Sequence, residues 1–260
     1  MTPTEQFERD GYIFVEKLIE PRLLDRFENL ILSRACIDLR ELGIACDGLT
    51  PFETMRLLES NSRHRFFKLC AIGTAVAGLQ IATHPVITEV IETLFGAEGG
   101  QIFNFPPAIF WNDRPVTRLQ YKWHQESTYL QAYERLITLW FPLFRDLAPE
   151  DGPMIVARGS HKEVYPYTFA KEPSGVTQFA VSDEIASRFE QVPCALKRGD
   201  GVLFHRDLLH KTGENLTGSP RVSCVIRYFD ILRTPEFEPL IVPNNITNKD
   251  AIAGKAVVRS

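Results

Sequence analysis

The chain has no long apolar run. Its longest, "LITLWFPLF" at positions 136–144, is far too short to cross a bilayer. The opening stretch "MTPTEQFERD" has no apolar signal-peptide core. Cysteine is scarce: 5 residues, odd in number, scattered and never spaced as C-x-x-C, which argues against a disulfide scaffold or a zinc knuckle. Buried or free thiols in a reducing cytoplasm are expected instead. There is no large charge excess either. A formal charge of −4 and a pI near 5.9 give no global reason to expect nucleic acid or an anionic membrane as partner. No repeat of solenoid length, heptad array or low-complexity segment stands out.

What is present is an ordinary globular balance, 44% hydrophobic and 24% charged over 260 residues, enough for a sizeable core. No convincing linker interrupts it, so residues 1–260 are expected to form a single domain. Residues 1–99 read as a mostly helical flank. After Pro21, Leu23, Leu24, Phe27, Leu30 and Ile31 recur at helical spacing. "THPVITEVIETLFG" (83–96) predicts a helix capped by Thr83 and closed by Gly96. Between 36 and 80, helical pieces with loops around "ACDGLTPF" are expected.

From residue 100 to 232 the character changes to short β-rich runs separated by turn residues. The runs are "AIFW" (108–111), "RLQYKW" (118–123), "LITLWFPLF", "PMIVA" (153–157), "GVTQFAV" (175–181), "GVLFH" (201–205) and "RVSCVIRYFD" (221–230). Many short strands of this kind predict a sandwich or barrel. Residues 233–260 read as a surface-hugging tail.

"YKWHQES" (121–127) raises the question of a metal site, because an extended backbone projects residues i and i+2 from one face. His124 and Glu126 would supply two ligands, and a third must come from elsewhere. Of the 6 histidines, His64 and His84 fit surface or structural roles and His161 follows a Gly-Ser turn. "FHRDLLHKTGEN" (204–215) offers His205 and His210. Two histidines and a carboxylate on one face of a metal suit non-haem iron(II) and oxygen chemistry. His124, Glu126 and His210 would form such a set. A compact alternative takes His205, Asp207 and His210 from one short segment, where a straight strand would aim the two histidines to opposite sides. A site without metal is the third alternative, and the plain reading of His205 is a hydrogen-bonded barrel-wall residue.

Arg221 opens the last apolar strand, and Ser223 shares its face. A guanidinium fork beside a hydroxyl inside a barrel is a good carboxylate receptor, and a buried arginine needs an anion. A metal site beside a carboxylate clamp points to a keto acid chelating iron.

With these residues in view, the chain resembles the phytanoyl-CoA dioxygenase-like family of iron(II)- and 2-oxoglutarate-dependent oxygenases over roughly residues 5 to 230. The resemblance rests on "FERDGYIFVEKLIEPRLLDRF", "WHQES", "LWFPLFRDLAPEDGPMIVARGSHK" and "RGDGVLFHRDLLHKTGENLTGSPR", in that order and spacing. It implies a mainly β fold with flanking helices, a double-stranded β-helix (jelly-roll) core and an N-terminal helical layer. It further implies that His124, Glu126 and His210 hold Fe(II), with O2 as the oxidant. Arg221 would take the distal carboxylate of 2-oxoglutarate, helped by Thr217 and Ser223, and Trp140 would line that pocket.

This sequence departs from the family pattern twice: Glu126 replaces the usual Asp, and Arg158 replaces the usual Pro before Gly-Ser-His. A carboxylate at 126 argues against the halogenase variant, which needs that position open, so hydroxylation of an unactivated C–H of a small molecule is the expected outcome. Around the expected mouth, Arg114, Arg118, Lys122, Arg158 and Arg206 are basic, which suggests an anionic substrate; Trp111 is a further candidate contact. The rival readings are a cupin-like metal-dependent isomerase or hydrolase, and a non-catalytic small-molecule-binding barrel.

Overall fold

Proline sets where several helices of the first hundred residues begin. Pro3, Pro21, Pro51 and Pro85 each stand in a first turn, where the missing N–H has no intrahelical partner to lose. The computed structural model describes residues 1–97, 101–113, 120–130, 133–171 and 177–234. Its N-terminal helices are α1 (Pro3–Asp10), α2 (Pro21–Glu41), α3 (Pro51–Asn61), α4 (Arg63–Cys70), α5 (Val76–Ala82) and α6 (Pro85–Phe95), with strand β1 (Tyr12–Val15) after α1. Reciprocal capping boxes, Thr2 with Glu5 and Thr50 with Glu53, satisfy the exposed N–H groups of α1 and α3. Each such cap contributes about 1 kcal/mol. Gly11, at φ 82°, ends α1 in a conformation that other residues rarely adopt and turns the chain into β1.

The cap expected at Thr83 is displaced. Pro85 disfavours helical geometry at the residue before it, so His84 is extended and becomes the N-cap without a side-chain hydrogen bond. The Thr83 hydroxyl instead donates to the Leu79 carbonyl, closing α5. Gly96 ends α6 as expected.

The remaining strands are β2 (Ile102–Asn104), β3 (Ala108–Asn112), β4 (Leu136–Leu143), β5 (Met154–Ala157), β6 (Thr168–Lys171), β7 (Thr177–Ala180), β8 (Gln191–Pro193), β9 (Gly201–His205), β10 (His210–Thr212) and β11 (Arg221–Asp230), with short helices α7 (Glu126–Tyr129) and α8 (Asp183–Ala186). All strand pairings are antiparallel. The larger sheet runs β1-β9-β4-β11-β2, and β3 also pairs with β11; the smaller sheet runs β10-β5-β8, and β6 pairs with β7 alone.

Strand alternation decides what each face of the larger sheet does. Ile137, Leu139, Phe141 and Leu143 of β4, with Val222, Cys224 and Ile226 of β11, share one core with Leu24, Phe27 and Ile31 of α2 and Ile87 and Ile91 of α6. The opposite face carries Trp140, Val202, Phe204 and Val225, which pack with Met154 and Val156 of the smaller sheet. Covered on both sides, β4 is buried along its whole length, which explains its unbroken apolar sequence.

The strand expected over 118–123 is not seen in its described part, since residues 120–123 belong to no strand. Its first two residues, along with Arg114 and the tail beyond Thr234, lie outside the described residues. Among the described residues, no single helix is long and apolar enough to cross a membrane.

Candidate metal centre

His124 and His210 are brought together by the backbone. The His124 N–H donates to the His210 carbonyl at 3.0 Å, and the His210 N–H donates back at 3.1 Å. This isolated antiparallel bridge sets the two rings 4.1 Å apart, centroid to centroid. Both are buried, and each is oriented by a backbone carbonyl next to its Nδ1: Lys122 at 2.7 Å for His124, and Leu208 at 2.9 Å for His210. A carbonyl only accepts, so both Nδ1 atoms carry the proton and both Nε2 atoms keep a bare lone pair. That is the tautomer a metal needs.

Glu126 completes the set by a route other than strand alternation. Gln125 is extended, and Glu126 begins the one-turn helix α7, which swings its carboxylate toward the histidines. Oε1 lies 3.5 Å from His210 Nε2. The turn is anchored by Gln125, which is fully buried. Its Nε2 donates to the carbonyls of Glu163 (2.8 Å) and Asp207 (2.5 Å), and its Oε1 accepts from the Tyr165 N–H (2.9 Å). Among the described residues, His124, Glu126 and His210 are the group whose ligand atoms all lie within 4.8 Å of one another.

The electrostatics suit a dication. Burial, reinforced by His210, lowers the His124 pKa to about 3, so the ring is neutral near pH 7. Burial alone would raise the Glu126 carboxyl, but Arg227 and His210 outweigh it and hold it below the usual carboxylate range. Arg227 grips that carboxylate with both arms, Nε to Oε2 at 2.6 Å and Nη2 to Oε1 at 3.1 Å. The sequence motifs do not single out Arg227 or Gln125. The signal for Arg227 was available, since 221, 223, 225 and 227 alternate onto one face of β11.

The triad opens onto a cavity of about 280 Å³ that also reaches Arg221, Trp140 and Arg227. Arg221 is buried, and Nη1 donates to Ser223 Oγ at 2.8 Å. Its guanidinium lies 5.8 Å from the Trp140 ring centroid. Nε has no hydrogen-bond partner, no carboxylate pairs with the group among the described residues, and burial lowers its pKa to about 10. A buried cation left in this condition is costly, and a carboxylate entering the cavity would relieve it.

Several expected contacts fall elsewhere. Thr217 is not on the cavity wall; its hydroxyl donates to Asp151 Oδ1 (3.0 Å) and Asn215 Oδ1 (3.1 Å), fastening the loop before β11. Trp111 faces the helical layer and packs edge-on against Phe66 at 5.8 Å, while its neighbour Phe110 lines the cavity. Parity explains this, because Trp111 pairs with Val222 on the helix-facing side of β11. Arg158 binds Glu190 (2.8 Å) and Tyr12 (3.3 Å). Arg206 donates to the Tyr133 carbonyl and sits beside Asp207, and Lys122 is exposed; none of the three lines the cavity. His205 is spent outside the triad as well. Its Nδ1 accepts from the Asp207 N–H at 3.1 Å, and its ring lies 5.3 Å from that of His161 and 6.1 Å from that of Phe7. The compact His205/Asp207/His210 alternative therefore does not assemble.

Comparison with known proteins bears on the family and the fold. The family described as Phytanoyl-CoA dioxygenase (PhyH) matches residues 7–223. Human peroxisomal phytanoyl-CoA dioxygenase is 21% identical over 234 residues, which take in 84% of this chain and 65% of that protein's length. Among solved structures, EctD from S. alaskensis with 2-oxoglutarate and 5-hydroxyectoine superposes with a TM-score of 0.60 at 19% identity, covering 88% of this chain and 75% of that one. The epimerase SnoN, in complex with Fe3+, alpha ketoglutarate and nogalamycin RO, superposes with a TM-score of 0.57 at 20% identity, covering 87% and 82%. At such identities the structural likeness speaks for a shared fold alone.

Proposed function

Because this chain belongs to the phytanoyl-CoA dioxygenase (PhyH) family, we propose that it is an Fe(II)- and 2-oxoglutarate-dependent dioxygenase. In this reading it hydroxylates an unactivated C–H of a small molecule, with succinate and CO2 as co-products. The β-strands would form a jelly-roll core and the first hundred residues its helical flank, within one domain.

The observation that carries the proposal is Arg221. Among the described residues it is a buried guanidinium without an acid, facing the same cavity as the ligand triad. A metal hydrolase or isomerase that works without a keto-acid co-substrate leaves this cation unpaired, whereas a dicarboxylic keto acid would pair with it. Bound iron would supply oxygen activation coupled to decarboxylation of 2-oxoglutarate.

The chain's own residues divide the remaining work. His124 and His210 each present a bare Nε2, and Glu126 adds one negative charge. Arg221 and Ser223 hold the far carboxylate of the co-substrate, and Trp140 covers it with an apolar face that keeps water away. Thr217 contributes by holding the loop that leads into Arg221. No general base is required, since hydrogen abstraction belongs to the metal chemistry.

Of the basic residues that suggest an anionic substrate, Arg158 and Arg206 are engaged elsewhere and Lys122 is exposed. The wall is instead largely aromatic and aliphatic, with Phe105, Phe110, Tyr121, Tyr129 and Leu130 around the triad. The substrate proposed is therefore a small molecule with an apolar surface.

Anaerobic addition of Fe(II) and then 2-oxoglutarate tests the proposal. A weak visible charge-transfer band is expected on chelation, followed by substrate-stimulated succinate release in air. Absence of both the band and any 2-oxoglutarate binding would reject it.

A further inference from the structure

Each histidine of the triad has one orienting partner, a backbone carbonyl on Nδ1. Glu126 has no such local support. It is the first residue of a four-residue helix whose N-cap, Gln125, makes no side-chain capping bond, and its side chain has three rotatable bonds to fix. What fixes them comes from β11. We propose that Arg227 is the positioning residue of this centre, holding the Glu126 carboxylate in the one orientation that offers an oxygen to the metal; this rests on the metal reading above.

The geometry supplies the reason. Arg227 stands on a strand hydrogen-bonded on both edges, opposite Thr138 of β4 on one side and next to the Tyr228–Asn104 pair on the other, so its base is rigid. Its planar fork meets both carboxylate oxygens, at 2.6 Å on Oε2 and 3.1 Å on Oε1. Two parallel bonds fix the carboxylate plane as well as its position, which a single donor cannot do. The two bonds are unequal. Oε2 takes the short one, while Oε1 has the longer one and faces His210 Nε2 at 3.5 Å. Oε1 is thus the oxygen offered to the metal, and Oε2 stays on the guanidinium.

The sign of the effect separates this role from simple charge. A guanidinium a few ångströms from a divalent cation repels it. By charge alone, removing Arg227 would tighten metal binding; by positioning, it would weaken it. Partners that orient metal ligands typically contribute about 10- to 100-fold in affinity.

The test is anaerobic calorimetric titration of the metal-free protein with Ni(II), without 2-oxoglutarate, alongside thermal melts. Arg227→Gln is expected to weaken Ni(II) about 10- to 100-fold. Arg227→Lys, with charge but no fork, should recover only part of that. In a Glu126→Ala background, Arg227→Gln should cause no further loss. An unchanged or tightened Kd in folded Arg227→Gln overturns the proposal, as does an equal loss in the Glu126→Ala background. If Arg227→Gln does not fold, Arg227→Lys decides, and a wild-type Kd there overturns it. Wild-type protein that ignores Ni(II), or His210→Ala that binds it equally well, would instead bring down the metal reading, and this proposal with it.

Discussion

Arg221, at the start of β11, and Arg227, six residues on, leave the same face of the strand and reach the same cavity, yet their circumstances are opposite. Arg227 is matched at once by both oxygens of Glu126. Among the described residues, Arg221 has only the Ser223 hydroxyl and leaves Nε without a partner. A buried charge that the chain neutralises by itself is already committed. One that it leaves bare has a place for something brought from outside. Counting positive charges around a pocket therefore overstates its appetite for anions, and Arg158 and Arg206, occupied by Glu190 and by Asp207 with the Tyr133 carbonyl, repeat the point.

The severest way to break this contrast is to remove the metal set between the two arginines. His124→Ala and His210→Ala should each abolish turnover and weaken Ni(II) binding more than Arg227→Gln does, because each removes one of three ligands outright. Retained turnover in either folded variant would refute the site.

Next comes the bare end. Arg221→Ala should raise the 2-oxoglutarate KM strongly, matching a loss of about 2–5 kcal/mol for a truncated buried charge partner. Metal affinity should stay near wild type. Arg221→Lys should fall between, and added guanidine should partly restore Arg221→Ala. An unchanged KM for 2-oxoglutarate in the folded variant would remove the co-substrate assignment.

The contrast can also be erased from the other end. Glu126→Gly leaves the half-buried Arg227 guanidinium without its acid, so the protein should lose stability as well as hydroxylation. Chloride or nitrate should then raise the Tm of the variant more than that of the wild type. Equal salt responses would indicate that Arg227 is not buried with Glu126 as its anion.

The smallest effect concerns His205, which serves as the control histidine. His205→Gln should keep most of the turnover. Burial depresses its folded pKa to about 4, below the 6.5 of an unperturbed histidine. Between those values the unfolded chain binds the extra proton, so the stability contributed by the neutral ring is complete above pH 6.5 and is lost as pH falls toward 4. Melts from pH 7 to pH 4 should therefore fall less steeply in His205→Gln than in the wild type, by a few degrees. Parallel curves would contradict the buried, neutral assignment.

Much of the sheet was legible because short β-rich apolar runs bounded by turn residues are a strong signal. β3, β4, β5, β9 and β11 lie on the apolar runs picked out for them, with ends within a residue. The triad was legible too, but partly for the wrong reason. The spacing of His124 and Glu126 suggested a strand, whereas a bridge and the start of a helix bring them together. Trp111 was misplaced by one residue of parity, which sends a side chain to the other face of a sheet. Arg158 falls away from the cavity because sequence does not say which arginine has an acid waiting across the fold. For Arg227 that acid lies on α7 and for Arg158 on the segment before β8, far apart in the chain in both cases. Thr217 failed for the same reason, since its partner Asp151 comes from a separate loop.

Gln125 has a consequence for the order in which the molecule assembles. The residue beside the two ligands is tied to Glu163 and Tyr165, which follow β5, and to Asp207, which lies between β9 and β10. Until those distant segments arrive, the turn that aims Glu126 lacks the three bonds that Gln125 supplies. The centre therefore cannot preform on a partly folded chain, and the loop-closure cost of all three segments must be met before a ligand set exists. A metal that binds this set and ignores the open chain then acts on the last stage of folding, pulling completed molecules out of the pool by mass action. Metal uptake becomes a clock for the moment the fold closes.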